Sequence, residues 1–235
     1  MNKFKKLFSK YKIDGYIVPK NDEYFNEYIP AHKDRLKFIS NFSGSAGFAI
    51  LFKNKNYLFV DGRYTTQARI QSGKKFKIET IPKKFPKNVL KTNKKIIIGF
   101  DPKLHTEQQL NYLFKIKNIE LKPLEKNLVD IVWSKKQNAI TQSYYSIPKN
   151  MVGDKAEKKI LKVRKLLNKN KIDLLLVTAP ENVAWILNIR GFDSFYSPIP
   201  NTRLVISKNG EVFLFADLKK TRKLNKFLKN RHCCP

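Results

Sequence analysis

The sequence predicts an α/β fold made of two related modules with mixed sheets, the second incomplete. Three observations carry that expectation. Helical and strand patterns alternate along the chain instead of segregating into blocks. The opening of one module is repeated in the other: an amphipathic helix, Lys-Ile-Asp, an apolar strand and a proline, ending at 12–19 and again at 171–180. Two turn signals, Lys53-Asn-Lys-Asn56 and Asn209-Gly210, divide pairs of apolar runs as hairpins do.

Taken in order, residues 3–11 place Phe4, Leu7, Phe8 and Tyr11 at the spacing of one helix face. Asp14-Gly15 turns the chain into a short buried strand, 16–18, closed by Pro19. A helical segment over 32–40 follows, with Leu36, Phe38 and Ile39 as its apolar side. Residues 48–52 and 57–60 are the first hairpin. A helix over 64–71 is closed by Ser72-Gly73, with glycine expected in a left-handed cap. Strands at 76–81 and 95–100 come next, the second apolar enough to be covered on both faces. A helix at 106–114 and a strand at 119–121 complete a first domain, 1–133.

Residues 134–153 are polar, contain Tyr144-Tyr145, Pro148 and Gly153, and show no period, which predicts a linker. The second domain, 154–235, opens with Asp154 as the cap of a helix that aligns Ala156, Ile160, Val163 and Leu167. A strand at 173–177, a short helix at 181–188, a hairpin at 203–206 and 211–215, and a helix at 221–228 follow. So few strands are expected to leave a sheet edge uncovered.

Composition excludes several classes. The hydrophobic fraction of 42%, with 17 Phe and 10 Tyr, supplies a core and argues against global disorder. No apolar run reaches the roughly 18 residues of a membrane span, and the basic N-terminus is not followed by a signal-peptide core. The expected setting is cytoplasmic. The net charge of +29 suggests nucleic acid, but only eight of the 48 basic residues are arginine, the better reader of phosphates and guanines. The lysines are spread along the whole chain among Asn and Ile, so the charge predicts salt-sensitive polyanion binding and no specific nucleic-acid partner. Cys233 and Cys234 are adjacent, which suits neither a disulfide nor the ligand spacing of a metal site.

Three blocks stand out. Asn41-Phe-Ser-Gly-Ser-Ala-Gly47 lacks the lysine of a P-loop and does not fit a dinucleotide fingerprint, so close packing of backbone on a neighbouring strand is expected. In Asp61-Gly62-Arg63-Tyr64, Gly62 permits a sharp turn and Arg63 begins a helix with its side chain free to project; read on residues alone, Arg63 pairs with a carboxylate such as Asp61. Ala184-Trp-Ile-Leu-Asn-Ile-Arg-Gly191 reads as a helix end closed by Gly191, with Trp185 in the core and Arg190 at the surface.

These blocks, with Glu27-Tyr-Ile29 and Asn127-Leu-Val-Asp-Ile-Val-Trp133, resemble the N-terminal region of the X-Pro aminopeptidases (aminopeptidase P) of the creatinase/prolidase group, over nearly all of 12–215. The resemblance implies ribonuclease H-like modules and makes Arg63 a substrate-binding residue that reaches a peptide with proline in second position, sometimes across a dimer. It also implies homodimers, and a catalytic domain holding two divalent metal ions, manganese among them, through two Asp, one His and two Glu. None of those motifs is found here. His32, His105 and His232 are far apart, His105 is placed near a helix start, and Glu27 lacks an acid–base partner. No catalytic residue, metal ligand or cofactor is therefore expected in this chain. It is expected to be the N-terminal portion of such an enzyme, whether gene fragment, frameshifted product or cloned piece, and inactive alone. The alternative is a stand-alone binding or assembly module.

Overall fold

The computed structural model describes residues 2–134, 141–224 and 233–234. Two compact units emerge, one of Met1–Glu23 with Ala31–Gln137, the other of Tyr24–Pro30 with Asn138–Pro235.

The first unit runs α1 (Asn2–Tyr11), β1 (Gly15–Pro19), α2 (Arg35–Ser40), β2 (Gly47–Phe52), β3 (Asn56–Asp61), α3 (Thr65–Ser72), β4 (Lys77–Ile81), α4 (Pro86–Val89), β5 (Ile96–Phe100), α5 (Glu107–Phe114), β6 (Ile119–Pro123) and α6 (Leu128–Val132). Its six strands form one mixed sheet in the order β4-β3-β2-β1-β5-β6. β1 pairs antiparallel with β2 and parallel with β5. Side chains that alternate along the strands fill two cores. Tyr16, Val18, Ala49, Leu51, Leu58 and Val60 join Phe4, Phe8, Leu36 and Phe42 on one face, while Ile17, Phe48, Ile50, Tyr57, Phe59 and Ile98 join Phe114 on the other. A buried guanidinium, Arg35, bonds Asp130 through Nε and Nη2 at 2.9 and 2.8 Å and Glu23 at 2.7 Å.

The second unit contains β7 (Tyr145–Ser146), α7 (Ala156–Lys169), β8 (Leu174–Val177), α8 (Pro180–Leu187), β9 (Ile189–Arg190), β10 (Arg203–Ser207), β11 (Val212–Phe215) and β12 (Cys233–Cys234). Four strands make a sheet in the order β12-β11-β10-β8, and β7 pairs with β9. The core gathers Ile160, Leu167, Val183, Leu187, Leu204, Ile206, Val212 and Leu214. The repeated opening is repeated in backbone detail. Lys12 and Lys171 both adopt left-handed φ, 52° and 55°. Behind them the amide of Ile13 donates to Phe8 O at 3.0 Å and that of Ile172 to Leu167 O at 2.9 Å, which stops each helix at the same point of the repeat.

Several local expectations change. Within the predicted linker, Tyr144 is a core residue of the second unit, its hydroxyl donating to Asp193 at 2.6 Å. Residues 24–30 also pack within that unit: the Tyr28 and Tyr196 rings meet edge to face at 5.0 Å, and the Asn26 amide donates to Asn201 at 2.8 Å. Long-range polar and aromatic contacts, invisible to periodicity, decide both cases. Lys155, not Asp154, is the N-cap of α7; the Asp154 carboxylate instead meets Lys158 and Lys162 at 2.6 and 2.8 Å. Those hydrogen bonds hold its pKa down to about 2. Gly73 follows α3 with right-handed φ of −59°. Asn188, at φ 54°, closes α8 in place of Gly191. The helix expected at 221–228 is a short 3-10 turn at Thr221–Lys223 in its described part, and residues 225–228 lie outside the described residues. Cys233–Cys234 pairs in parallel with β11.

Candidate functional site

Arg63 stands where β3 ends. The Asp61 carboxylate caps the following 3-10 turn, Gly62–Tyr64, by accepting the Arg63 amide at 2.9 Å, and α3 continues from Thr65. The same carboxylate accepts Arg63 Nε at 2.9 Å, so one side chain fixes both the backbone and the guanidinium of its neighbour. That hydrogen bond holds the Asp61 carboxyl below the usual carboxylate range and raises the Arg63 guanidinium further. The ion pair expected from the residues alone is thus formed. The Arg63 side chain nevertheless stays 75% exposed, and it lies over the Tyr64 ring at 5.5 Å. An arginine engaged through Nε keeps donors for a carboxylate or a peptide carbonyl. Gly62 needs no special conformation: its φ is not positive, and a Cβ there would approach Thr80 Cγ2 no closer than 3.8 Å.

The small-residue run is docked beside this corner. Ser45 Oγ and Tyr64 Oη are 2.8 Å apart, Gln67 and Gln71 of α3 each donate to Ser43 Oγ at 2.9 Å, and the Ser43 amide donates to Gln71 Oε1 at 2.9 Å. Gln67 and Gln71 escaped notice in the sequence; their i, i+4 spacing on a helix following the turn was the available signal. Gly47 explains the run: at φ 156°, a Cβ would fall 2.6 Å from Phe59 O across the β2–β3 pair. Close backbone approach, as expected, is its role.

A cavity of about 370 Å³ opens beside Ser45 and Asp61, walled by Ile17, Phe48, Phe114 and His105. Lys20 on its rim is neutralised by Asp34 at 2.6 Å. His105 packs edge-on against Phe100 just before α5, and its buried Nε2 has no hydrogen-bond partner. Burial pushes its pKa down to about 4, against a smaller opposing pull from Asp101, so the imidazole is neutral at physiological pH.

The remaining singled-out residues are scattered. Trp185, expected in the core, is 63% exposed, because α8 buries Val183, Ala184, Ile186 and Leu187 and turns position 185 outward. Arg190, expected at the surface, is half-buried and donates to Ile189 O at 2.9 Å. Glu27 is exposed in the second unit, His32 lies in the 3-10 turn Ala31–Lys33, and His232 lies outside the described residues. Among the described residues no group of three or more His, Cys, Asp or Glu side chains could hold a metal ion. The donor set for a pair of divalent ions is therefore not met by these residues. No helix among them is long and apolar enough to cross a membrane.

A mixed six-stranded sheet preceded by the repeated helix–Lys-Ile-Asp opening, and followed by a second unit with the same opening, defines a family. The chain belongs to the creatinase/prolidase N-terminal domain family, which it matches twice, over residues 1–131 and 135–233. It is 34% identical over 226 residues to a probable Xaa-Pro aminopeptidase P of Coprinopsis cinerea, covering 92% of this chain and 36% of that protein. With aminopeptidase P1 of Lotus japonicus the identity is 32% over 217 residues, covering 88% and 32%. The X-prolyl aminopeptidase of Caenorhabditis elegans, described as a cytosolic enzyme with a di-nuclear active site, superposes with a TM-score of 0.89 at 27% identity, over 99% of this chain and 41% of that one. The chain spans about a third of the length of the curated relatives it matches.

Proposed function

We propose that this chain is the N-terminal, non-catalytic portion of an X-Pro aminopeptidase-like metallopeptidase, a cytoplasmic homodimer that removes the residue preceding proline. The observation that supports it above others is the ordered likeness of both units to X-Pro aminopeptidases, over 92% of the chain by sequence and 99% by structure. In this reading the two units shape the substrate entrance and Arg63 contacts the peptide. An exposed guanidinium oriented by Asp61 suits that role, since it binds a carbonyl or carboxylate without taking part in bond cleavage. Metal-activated hydroxide, with manganese in the pair of sites, would come from residues outside this chain.

Two measurements test this. The purified 235-residue chain with manganese should release no amino acid from Xaa-Pro peptides; measurable release would overturn the non-catalytic assignment. With the chain joined to the catalytic region of a relative, Arg63→Ala should raise KM roughly tenfold, about 1.4 kcal/mol of binding, and leave kcat nearly unchanged. Equal KM values for the two proteins would remove Arg63 from the substrate path.

A further inference from the structure

Five of the six strands in the first unit point the same way. β3 pairs in parallel with β4, β1 with β5 and β5 with β6, and only β2 runs against its neighbours. Their carboxyl ends share one rim of the sheet, and open α/β sheets bind ligands in the crevice outside that rim. The cavity of about 370 Å³ is such a crevice. Pro19 closes β1, Asp61 closes β3, Ile81 closes β4 and Gly47 opens the reversed β2, and all four line it. His105, beyond the turn that follows β5, adds to the wall. The volume falls near the lower end of the roughly 300–1,000 Å³ typical of ligand pockets, which is room for one large side chain.

The wall selects by charge. Lys20 is already paired with Asp34 at 2.6 Å, their side chains 8% and 10% exposed, and Asp61 is held by Arg63 at 2.9 Å. His105 is neutral, because burial holds its pKa down to about 4. The side-chain amides are engaged as well: Asn21 Nδ2 donates to Leu104 O at 3.0 Å, and Gln109 Oε1 accepts the Thr106 amide at 3.3 Å. The rest of the surface is dominated by Ile17, Phe48, Ile81, Leu113 and Phe114. A charged occupant would lose its water there without gaining a partner, whereas an apolar one gains by burial.

The mouth supplies the second half of the recognition. Arg63 lies one hydrogen bond beyond the wall residue Asp61, with its side chain 75% exposed. A peptide residue whose carbonyl or carboxylate meets that guanidinium has its own or a neighbouring side chain within reach of the cavity, since successive residues advance by only about 3.3–3.6 Å. The bond before proline would be cut by residues outside this chain, so the peptide meets Arg63 with the part beyond its proline. We propose that the cavity is a specificity pocket for a large apolar side chain of the same peptide, at a position after its proline, an inference that rests on the peptide contact proposed for Arg63.

Titration of the methyl-labelled 235-residue chain with Ala-Pro-Phe, Ala-Pro-Gly and Ala-Pro-Asp, followed by NMR at the methyl groups of Ile17, Ile81 and Leu113, tests this pocket. Saturable shifts at those methyl groups are expected, with the phenylalanine peptide bound roughly tenfold or more tighter than the other two. Ala46 lines the cavity but belongs to neither core of the sheet, so Ala46→Leu fills the space and should bind the phenylalanine and glycine peptides alike. Arg63→Ala should weaken both by a similar factor, because it removes the contact they share. Equal affinities for the three peptides, no shifts at the three residues with any peptide, or a phenylalanine preference that survives Ala46→Leu would each overturn the pocket, even where Arg63→Ala weakens binding. A phenylalanine preference that Arg63→Ala leaves untouched would support the pocket and remove Arg63 from the peptide path. Should Ala46→Leu misfold, the peptide series and the methyl shifts of the parent decide.

Discussion

Arg35 gives the sharpest test of how the first unit is held. Its side chain is 2% exposed and bridges two carboxylates from distant parts of the sequence, Glu23 at 2.7 Å and Asp130 at 2.8 and 2.9 Å. Arg35→Ala leaves both acids without that cation. Removing one partner of a buried ion pair costs about 3–5 kcal/mol. Glu23 and Asp130 keep 21% and 30% of their side-chain surface, which lets water partly replace the arginine and points to the lower end, about 3 kcal/mol. For a unit of roughly 130 residues that is a fall in Tm of about 12 °C. The protein's two tryptophans fall one in each unit, Trp133 stacked on Phe38 in the first and Trp185 in the second. In a Trp185→Phe background, fluorescence therefore follows the first unit alone. The pH dependence adds a second condition. Burial raises the Glu23 carboxyl, but Arg35 and then Lys33 outweigh it and leave it below its usual range. A lowered carboxyl contributes stability above its unfolded value of about 4.3 and loses it as pH falls through the lowered one. The gap between parent and variant should thus be full at neutral pH and narrow in acid. A loss under about 1 kcal/mol, or a loss as large at pH 3 as at pH 7, would refute the reasoning.

Two further outcomes follow from burial and backbone geometry. His105 binds a proton near pH 6.5 when unfolded and only near 4 when folded, so the parent loses about 3 kcal/mol as pH drops through that window, and His105→Leu should flatten that part of the urea-midpoint profile. Identical profiles would show that the imidazole is solvated. Gly47→Ala forces a side chain to φ 156° with its Cβ 2.6 Å from Phe59 O, a loss of about 3 kcal/mol in the first unit. A melting temperature within about 2 °C of the parent would show that the β2–β3 pair yields at little cost.

The strands and long helices were legible because their signals are local. The 48–60 hairpin, the 95–100 strand and α7 follow from apolar period and turn residues, and the structure places β2, β3, β5 and α7 there. The duplication was legible too, and proved deeper than composition suggested, reaching the left-handed Lys12 and Lys171. What escaped was set by partners far away in sequence. Tyr144 looked like linker because its reason to be buried is Asp193, which also takes Lys220 at 2.6 Å and the Asn201 amide at 2.7 Å. Residues 24–30 lie inside the first domain by sequence, yet belong to the second unit through Tyr196, Asn201 and the Arg203 guanidinium 5.2 Å from the Tyr24 ring. Helix caps failed for a related reason. Gly73 was expected as a left-handed cap and Gly191 as the close of a helix, but α3 ends without a left-handed residue and Asn188 closes α8.

The Arg63 corner shows why a site of this kind is hard to read from sequence and why its chemistry is limited. Arg63 pairs with Asp61, two residues away, an arrangement that any surface turn can produce. What distinguishes it is the support beneath: Ser45 on Tyr64, Gln67 and Gln71 on Ser43, and Gly47 pressed against β3. Those contacts fix the turn and the small-residue run to one another while leaving the guanidinium in solvent. A scaffold that rigid orders few new degrees of freedom when the arginine meets a ligand, so most of the interaction is kept as affinity. Asp61, held below the usual carboxylate range by Arg63, is a weak base, and the neighbouring His105 keeps a buried, unpaired Nε2 in the cavity wall. An exposed guanidinium on so fixed a turn suits the peptide contact proposed for Arg63.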